Sequence, residues 1–307
     1  MKNKKHSILE AIGNTPLIEL SNLNEDLKAR IYGKLEGCNP GGSVKDRPAY
    51  YMIKKAEESG ELVKEKMILE PTSGNTGISL AMIGAVRGYR VKLVMPDCVS
   101  LERRRILESY GAEVLLTPGE EGTDGAINKA HDILNREPDK YHMPNQFENE
   151  NNVLSHYETT GPEIFSQMDG DIDVFINGLG TSGTLMGVAN YLKEKKPSVK
   201  IVGVEPRKGH KIQGLKNMEE SIVPKIYNPI VLDEKMIVED DEAFEITRAL
   251  ARKEGIFVGM SSGAAVSGAL KVAKKMNSGK IVVILPDRGD RYLSTSLFRS
   301  ICAECPP

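Results

Sequence analysis

The feature that most constrains the fold is the alternation of short, continuously apolar or β-branched runs with longer stretches of helical period. The runs at 67–70, 91–95, 113–116, 174–177, 200–204 and 281–285 read as strands. Between them, 46–58, 76–87, 100–110, 123–135, 184–195, 241–254 and 263–276 read as helices. This alternation builds βαβ units on a mostly parallel sheet, so the fold class is α/β. Most of the strands lack a polar face and need helices on both sides. A chain of 307 residues is long enough for two cores, and two domains are expected. The polar stretch 141–152 is the strongest break in composition and reads as a crossing between them.

Apolar residues make up 40%, charged residues 27%, and the formal net charge is −2. That balance leaves no electrostatic footprint for nucleic acid. No apolar run reaches the roughly 18 residues that span a bilayer. The opening MKNKKHSILEAIGNTPL lacks the apolar core and cleavage site of a secretory leader, so a cytoplasmic protein with no membrane partner is expected. Four cysteines, Cys38, Cys98, Cys302 and Cys305, are too few for a disulfide framework at this length. The Cys302-x-x-Cys305 pair has no second pair to complete a zinc site, reads as a plain terminal segment, and no metal is expected. The stripe Arg103, Arg104, Arg105 reads as a solvated helix face.

Three constellations carry chemistry. In Asn39-Pro-Gly-Gly-Ser-Val-Lys45-Asp-Arg47-Pro48, turn residues precede a helix that tolerates Pro48 in its first turn, with Ser43 as a capping hydroxyl. Lys45 therefore sits at or near a helix N-terminus, where the helix dipole disfavours an ammonium and lowers its pKa. An exposed loop lysine fits this local context as well as a poised amine does. In Glu70-Pro-Thr-Ser-Gly-Asn-Thr-Gly77, a turn between a strand and a helix start offers backbone N–H groups and hydroxyls to an anion, and a carboxylate fits. The amide of Asn75 is not what triphosphate or dinucleotide loops call for. In Gly178-Leu-Gly-Thr-Ser-Gly-Thr184, glycines let the backbone close on a phosphate monoester while hydroxyls add donors. Its Gly-x-Gly-x-x-Gly spacing is a weak dinucleotide signal, because the strand before it falls mid-chain. Gly259-Met-Ser-Ser-Gly-Ala-Ala265 is a further hydroxyl-rich helix start. A poised lysine, a carboxylate-sized loop and a phosphate-sized loop are together what pyridoxal phosphate and an amino acid require.

On these motifs, from Ile12-Gly-Asn-Thr-Pro-Leu17 to Asp287-Arg-Gly-Asp-Arg-Tyr-Leu-Ser-Thr295, the chain resembles the cysteine synthase and cystathionine β-synthase family, pyridoxal-phosphate enzymes of fold type II. The resemblance implies two domains, each a mostly parallel twisted sheet flanked by helices. Residues 41–146 would form the smaller, mobile, carboxylate-gripping domain, and 1–40 with 147–307 the larger, phosphate-binding one. It implies that Lys45 carries the cofactor as an imine and that Asn75 meets the cofactor's 3′-oxygen. Gly178, Gly180, Thr181, Ser182, Gly183 and Thr184 match the phosphate cup, and Ser261 faces the pyridine nitrogen. Thr72, Ser73, Gly74, Asn75, Thr76 and Gln146 match the grip on the substrate α-carboxylate. Lys216 falls where some relatives place a cation for a substrate phosphate. His156 matches a position near the subunit or site wall and is given no catalytic role.

A hydroxyl at 261 does not hold the pyridine nitrogen protonated as a carboxylate would, which weakens the electron sink and steers the chemistry toward loss of a β-substituent. The implied cycle loses acetate from O-acetylserine and adds a sulfur nucleophile to an aminoacrylate, giving cysteine. Two alternatives use the same site. In one, cysteine is the donor and hydrogen sulfide leaves, giving serine, a thioether or lanthionine, with Glu219 and Glu220 either activating the nucleophile or forming a solvated loop. In the other, O-phosphoserine is the donor and Lys216, with Lys211 or Arg207, meets its phosphate. The segments 179–187, 101–104 and Asp287 to Tyr292 look closest to the B-type O-acetylserine sulfhydrylases. Pro286 departs from that type, which often carries a cysteine there, and this bears on thiosulfate use. The resemblance also implies a homodimer and serine acetyltransferase as a possible partner.

Overall fold

The computed structural model describes residues 7–72 and 74–298. Ser73, Cys302 and Cys305 lie outside the described residues. Among the described residues, ten strands form two sheets. In chain order they are β1 (Leu17–Glu19), β2 (Arg30–Leu35), β3 (Met67–Pro71), β4 (Val91–Pro96), β5 (Glu113–Thr117), β6 (Tyr141–His142), β7 (Val174–Gly178), β8 (Lys200–Pro206), β9 (Glu234–Val238) and β10 (Lys280–Leu285). One sheet has the order β1-β2-β10-β7-β8-β9 and the other β5-β4-β3-β6. Every neighbouring pair is parallel except β1 with β2. The four-stranded sheet draws all its strands from within 41–146, and the six-stranded sheet draws all of its strands from outside that range.

The α-helices are α1 (Asp46–Ser59), α2 (Asn75–Arg87), α3 (Leu101–Ser109), α4 (Gly122–Arg136), α5 (Glu150–Ser155), α6 (Gly161–Gln167), α7 (Gly183–Lys195), α8 (Asp240–Ala249) and α9 (Met260–Ala273). Strand periodicity decides what each covers. On β10, Ile281 and Val283 enter one core with residues of α8 and α9. Val282 and Ile284 enter the opposite core with residues of α7. On β3, Ile68 packs with α2, whereas Met67 and Leu69 pack with Ala126 and Ala130 of α4. Both sheets are thus covered on both faces, which is why β3 and β7 are buried along their whole length. The edge strands β5 and β9 are exceptions and leave Leu116 and Ile237 exposed.

Parallel strands fed by helices send every turn that follows a strand to the same end of the sheet. The turns after β3, β7 and β10 therefore converge, and the functional site is built there.

Candidate active site

A cavity of about 650 Å³ opens between the two sheets, lined by Thr72, Asn75 and Thr76 after β3, by Gly178 to Thr184 after β7, and by Pro286 after β10. Lys45 and Ser261, from two helix starts, complete its inner wall.

Lys45 is the residue that opens α1, with Ser43 Oγ accepting its backbone N–H at 3.3 Å. Two residues on, the Arg47 guanidinium is clamped between Glu36 at 2.8 Å and Glu163 at 2.6 Å. Arg47 and Glu36 are both buried, so this network fixes the first turn of α1 and the direction in which Lys45 leaves it. Against the upward push of burial, Arg47 and Lys34 hold the Glu163 carboxyl down at about 2. The Lys45 ammonium has no hydrogen-bond acceptor among the described residues. Burial pushes its pKa down to about 8, against the pull of Asp287 and Glu36. An amine near neutrality in a cavity wall is what covalent capture of a carbonyl requires.

The turn after β7 forms a nest of unspent donors. The backbone N–H groups of Gly180 through Thr184 find no acceptor among the described residues. Ser182 adopts φ +70°, a left-handed conformation that turns successive N–H groups toward one point. Gly180 is required by close approach: a Cβ there would lie 2.6 Å from the Gly214 carbonyl. Behind the nest, Thr184 Oγ1 lies 3.1 Å from His156 Nε2 while His156 Nδ1 meets Thr160 Oγ1 at 2.8 Å. Burial, with Arg47 and Lys45 nearby, pushes the His156 pKa well below its ordinary value, so it supports the turn as a neutral ring. A phosphate fits this nest and Lys45 lines the same cavity, so the residues present suit pyridoxal phosphate.

The turn after β3 has a different character. Thr72 Oγ1 accepts from Gly74 N at 3.0 Å, and Gly74 holds φ +140°. The N–H groups of Asn75 and Thr76, at the start of α2, have no acceptor among the described residues and can take a carboxylate. Thr76 Oγ1 donates to Gln146 Oε1 at 2.6 Å, and Gln146 Nε2 donates to the Pro71 carbonyl at 3.1 Å. Asn152 Nδ2 then bridges the Gln146 carbonyl at 2.8 Å and Thr181 Oγ1 at 3.2 Å, tying the carboxylate turn to the phosphate turn. Asn75 Nδ2 gives one hydrogen to Asp287 at 2.6 Å, and its Oδ1 accepts from Arg291 at 2.6 Å. The second amide hydrogen is left for the cavity. Ser261, second residue of α9, is buried and its hydroxyl has no partner among the described residues.

Lys216 lines the cavity, and its ammonium is paired with Asp124 at 2.7 Å and stands 5.1 Å from the centre of the Phe147 ring. Glu219 is exposed and paired with Lys208 at 2.9 Å, and Glu220 accepts from Gly209 N at 2.9 Å.

The expectation that Arg103 to Arg105 form a solvated face needs correction at its first member. Arg103 is buried, lies 4.6 Å over the Tyr292 ring, bonds Gln213, and stands 4.0 Å from Asp287. Three charges in a row masked it, because only one side of α3 meets the cavity. Asp287, Arg291 and Tyr292 were legible only as a motif; their place just beyond a β10 run was the signal that they line the same end as the other turns. Asn152, within the polar break, gave no sequence signal of its role.

Fold and site together define a two-sheet α/β enzyme with a reactive lysine, a phosphate nest and a carboxylate turn in one cavity. The sequence pattern of the family described as "Pyridoxal-phosphate dependent enzyme" matches residues 8–287, and the chain belongs to this family. It is 46% identical over 289 residues to cysteine synthase B of Escherichia coli (strain K12), covering 94% of this chain and 95% of that protein. Among solved structures, it superposes with a TM-score of 0.90 on a hydrogen sulfide-producing enzyme from Fusobacterium nucleatum, at 44% identity over 94% of this chain and 99% of that one. It also superposes with a TM-score of 0.90 on O-acetylserine sulfhydrylase isoform 3 from Entamoeba histolytica, at 41% identity over 98% of this chain and 93% of that one.

Proposed function

We propose that the protein makes L-cysteine from O-acetyl-L-serine and sulfide by β-replacement, with pyridoxal phosphate held at Lys45. The observation that carries this is a lysine amine at about pKa 8, with no acceptor among the described residues, in the same cavity as the phosphate nest and the carboxylate turn. The B-type relatives support the choice of reaction.

Bound pyridoxal phosphate supplies the electron sink that makes the donor's α-hydrogen acidic and its β-substituent labile. Thr72, Ser73, Gly74, Asn75, Thr76 and Gln146 hold the donor's α-carboxylate. Gly178, Gly180, Thr181, Ser182, Gly183 and Thr184 would hold the phosphate, Asn75 would meet the ring oxygen, and Ser261 would meet the ring nitrogen without charging it. Lys45 Nζ removes the α-proton as acetate leaves the β-carbon, and it returns that proton once sulfur has bonded there. Acetate carries off the C–O electron pair, and one S–H proton of hydrogen sulfide balances it.

Residues 41–146 act as the unit that closes on the carboxylate, and the rest of the chain keeps the phosphate. The protein works as a cytoplasmic homodimer, a setting that suits the exposed free thiols of Cys38 and Cys98. Serine acetyltransferase, which makes the donor, is the partner this reading implies. The similarity to a hydrogen sulfide-producing enzyme favours a second activity at the same site, release of sulfide from cysteine.

Steady-state assays of O-acetylserine with sulfide, and of cysteine alone, decide between them. The expected outcome is a kcat/KM for synthesis at least about tenfold above that for sulfide release, a margin of roughly 1.4 kcal/mol. Rapid sulfide release with negligible synthesis would reverse the assignment.

A further inference from the structure

We infer that Asp124 is a specificity-determining residue that keeps a doubly negative phosphorylated donor out of the cavity. The inference rests on the β-replacement reading and names the donor class that the site rejects.

Lys216 is a cation on the cavity wall, and its side chain is only 9% exposed. A buried ammonium beside a donor's leaving group would stabilise a phosphate by charge-assisted hydrogen bonds. Here that charge is already spent. Asp124, the third residue of α4, accepts from Lys216 Nζ through Oδ1 at 2.7 Å and from Ile222 N through Oδ2 at 2.9 Å. Each carboxylate oxygen has a donor, so the carboxylate is held from two sides. A phosphate brought to Lys216 would meet the Asp124 carboxylate one hydrogen-bond length beyond it, and like charges at that separation repel strongly in a partly desolvated cavity.

The rest of the lining carries both signs: Glu120, Glu121 and Glu220 stand on it, and so do Lys211 and Arg103. The exclusion therefore rests on the Asp124 carboxylate that already holds Lys216. A neutral leaving group such as an acetyl ester passes this mouth without a charge penalty. A phosphate must displace an ion pair and approach a carboxylate at once.

The test compares kcat/KM for O-acetylserine and O-phosphoserine, each with sulfide, in the holoenzyme and in Asp124→Asn. The asparagine keeps an oxygen for Ile222 N and removes the negative charge. The ratio of phosphorylated to acetylated donor should rise at least about tenfold. Adding Lys216→Met to Asp124→Asn should abolish that rise, because the gain works through the released ammonium. An unchanged ratio in Asp124→Asn overturns the inference. Asp124→Ser gives an independent reading should the asparagine variant not fold: it too removes the charge, and the donor ratio should again rise at least about tenfold. An unchanged or lower ratio in that variant overturns the inference. A parent enzyme inactive with O-acetylserine and sulfide would instead refute the proposed function, an outcome the donor ratio does not mimic.

Discussion

Lys45 is a base held where its charged form is disfavoured, and the pH dependence of that strain has a definite sign. Its pKa is about 8 in the folded chain against an ordinary 10.5, with burial as the main cause. Between those values the unfolded chain carries a proton that the folded chain does not. This group's cost to folding is therefore full below about pH 8 and is relieved as pH rises toward 10.5, by at most about 3 kcal/mol. The same shift predicts a rate. Capture of pyridoxal phosphate by apoprotein, followed by visible absorbance, should rise with pH through a midpoint near 8 and then level off. Lys45→Ala should show no such capture at any pH, and turnover should fall by at least about 10³-fold. A capture rate that does not change between pH 7 and 9 would mean that the amine is not the limiting group. The motif around Lys45 showed a helix start but not the burial, because the cavity in whose wall it stands is lined by the turns after β3, β7 and β10, up to 241 residues away in the chain at Pro286.

At the scale of elements, a strand followed by a donor-rich turn and a helix was legible wherever the strand was continuously apolar. β3, β4, β5, β7, β8 and β10, and the helices α1 to α4 and α7 to α9, fall where the sequence places them, within a few residues. The missed elements fail for specific reasons. β9 reads Glu-Lys-Met-Ile-Val, with charges at the edge of the six-stranded sheet where one face meets water. β6 has two residues, too few for any period. α5 and α6 arise from the polar 141–152 break and beyond, joined by a π-helical turn over His156–Thr160 that disrupts the 3.6-residue repeat. That stretch matters to the site through Gln146, whose backbone N–H, with that of Asn145, is held by the buried Glu70 carboxylate at 3.0 and 2.8 Å. Gln146→Ala would leave Thr76 Oγ1 and the Pro71 carbonyl without partners. The expected result is a KM for O-acetylserine raised about tenfold with a smaller change in kcat, and a stability loss of about 1–2 kcal/mol. Steady-state kinetics beside denaturant melts separate the two effects. A change confined to stability would remove Gln146 from the carboxylate grip.

Across the whole molecule, the two sheets share one cavity, and polar side chains join them across it, Asn152 with Gln146, Lys216 with Asp124 and Arg291 with Asn75 among them. Arg291, beyond β10 of the six-stranded sheet, reaches Asn75 at the head of α2 and the Gly41 carbonyl ahead of Lys45, while its own carbonyl accepts from Ser100 Oγ at 2.7 Å. It also lies near Asp46, whose carboxyl burial pushes up to about 6 while Ser79, Gly41 and Arg291 oppose the rise. One buried guanidinium therefore holds the carboxylate turn and the lysine loop in a common frame, and the same residue's carbonyl holds the start of α3. Arg291→Met keeps the apolar length of the side chain and removes every bond its guanidinium makes. Breaking a buried charged contact from one side costs about 3–5 kcal/mol, and here the loss also frees Asn75 Oδ1 and the Gly41 carbonyl. Because both groups lie within 41–146 while Arg291 follows β10 of the other sheet, the loss should appear as lower cooperativity as well as lower stability. The denaturant slope should fall and the transitions followed by near- and far-ultraviolet dichroism should separate. Saturating pyridoxal phosphate should restore part of the coincidence, since a ligand bound between the nest and Lys45 ties the same parts together. Coincident, equally steep transitions in Arg291→Met would show that the sheets are held together by their packed apolar surfaces and not by this residue.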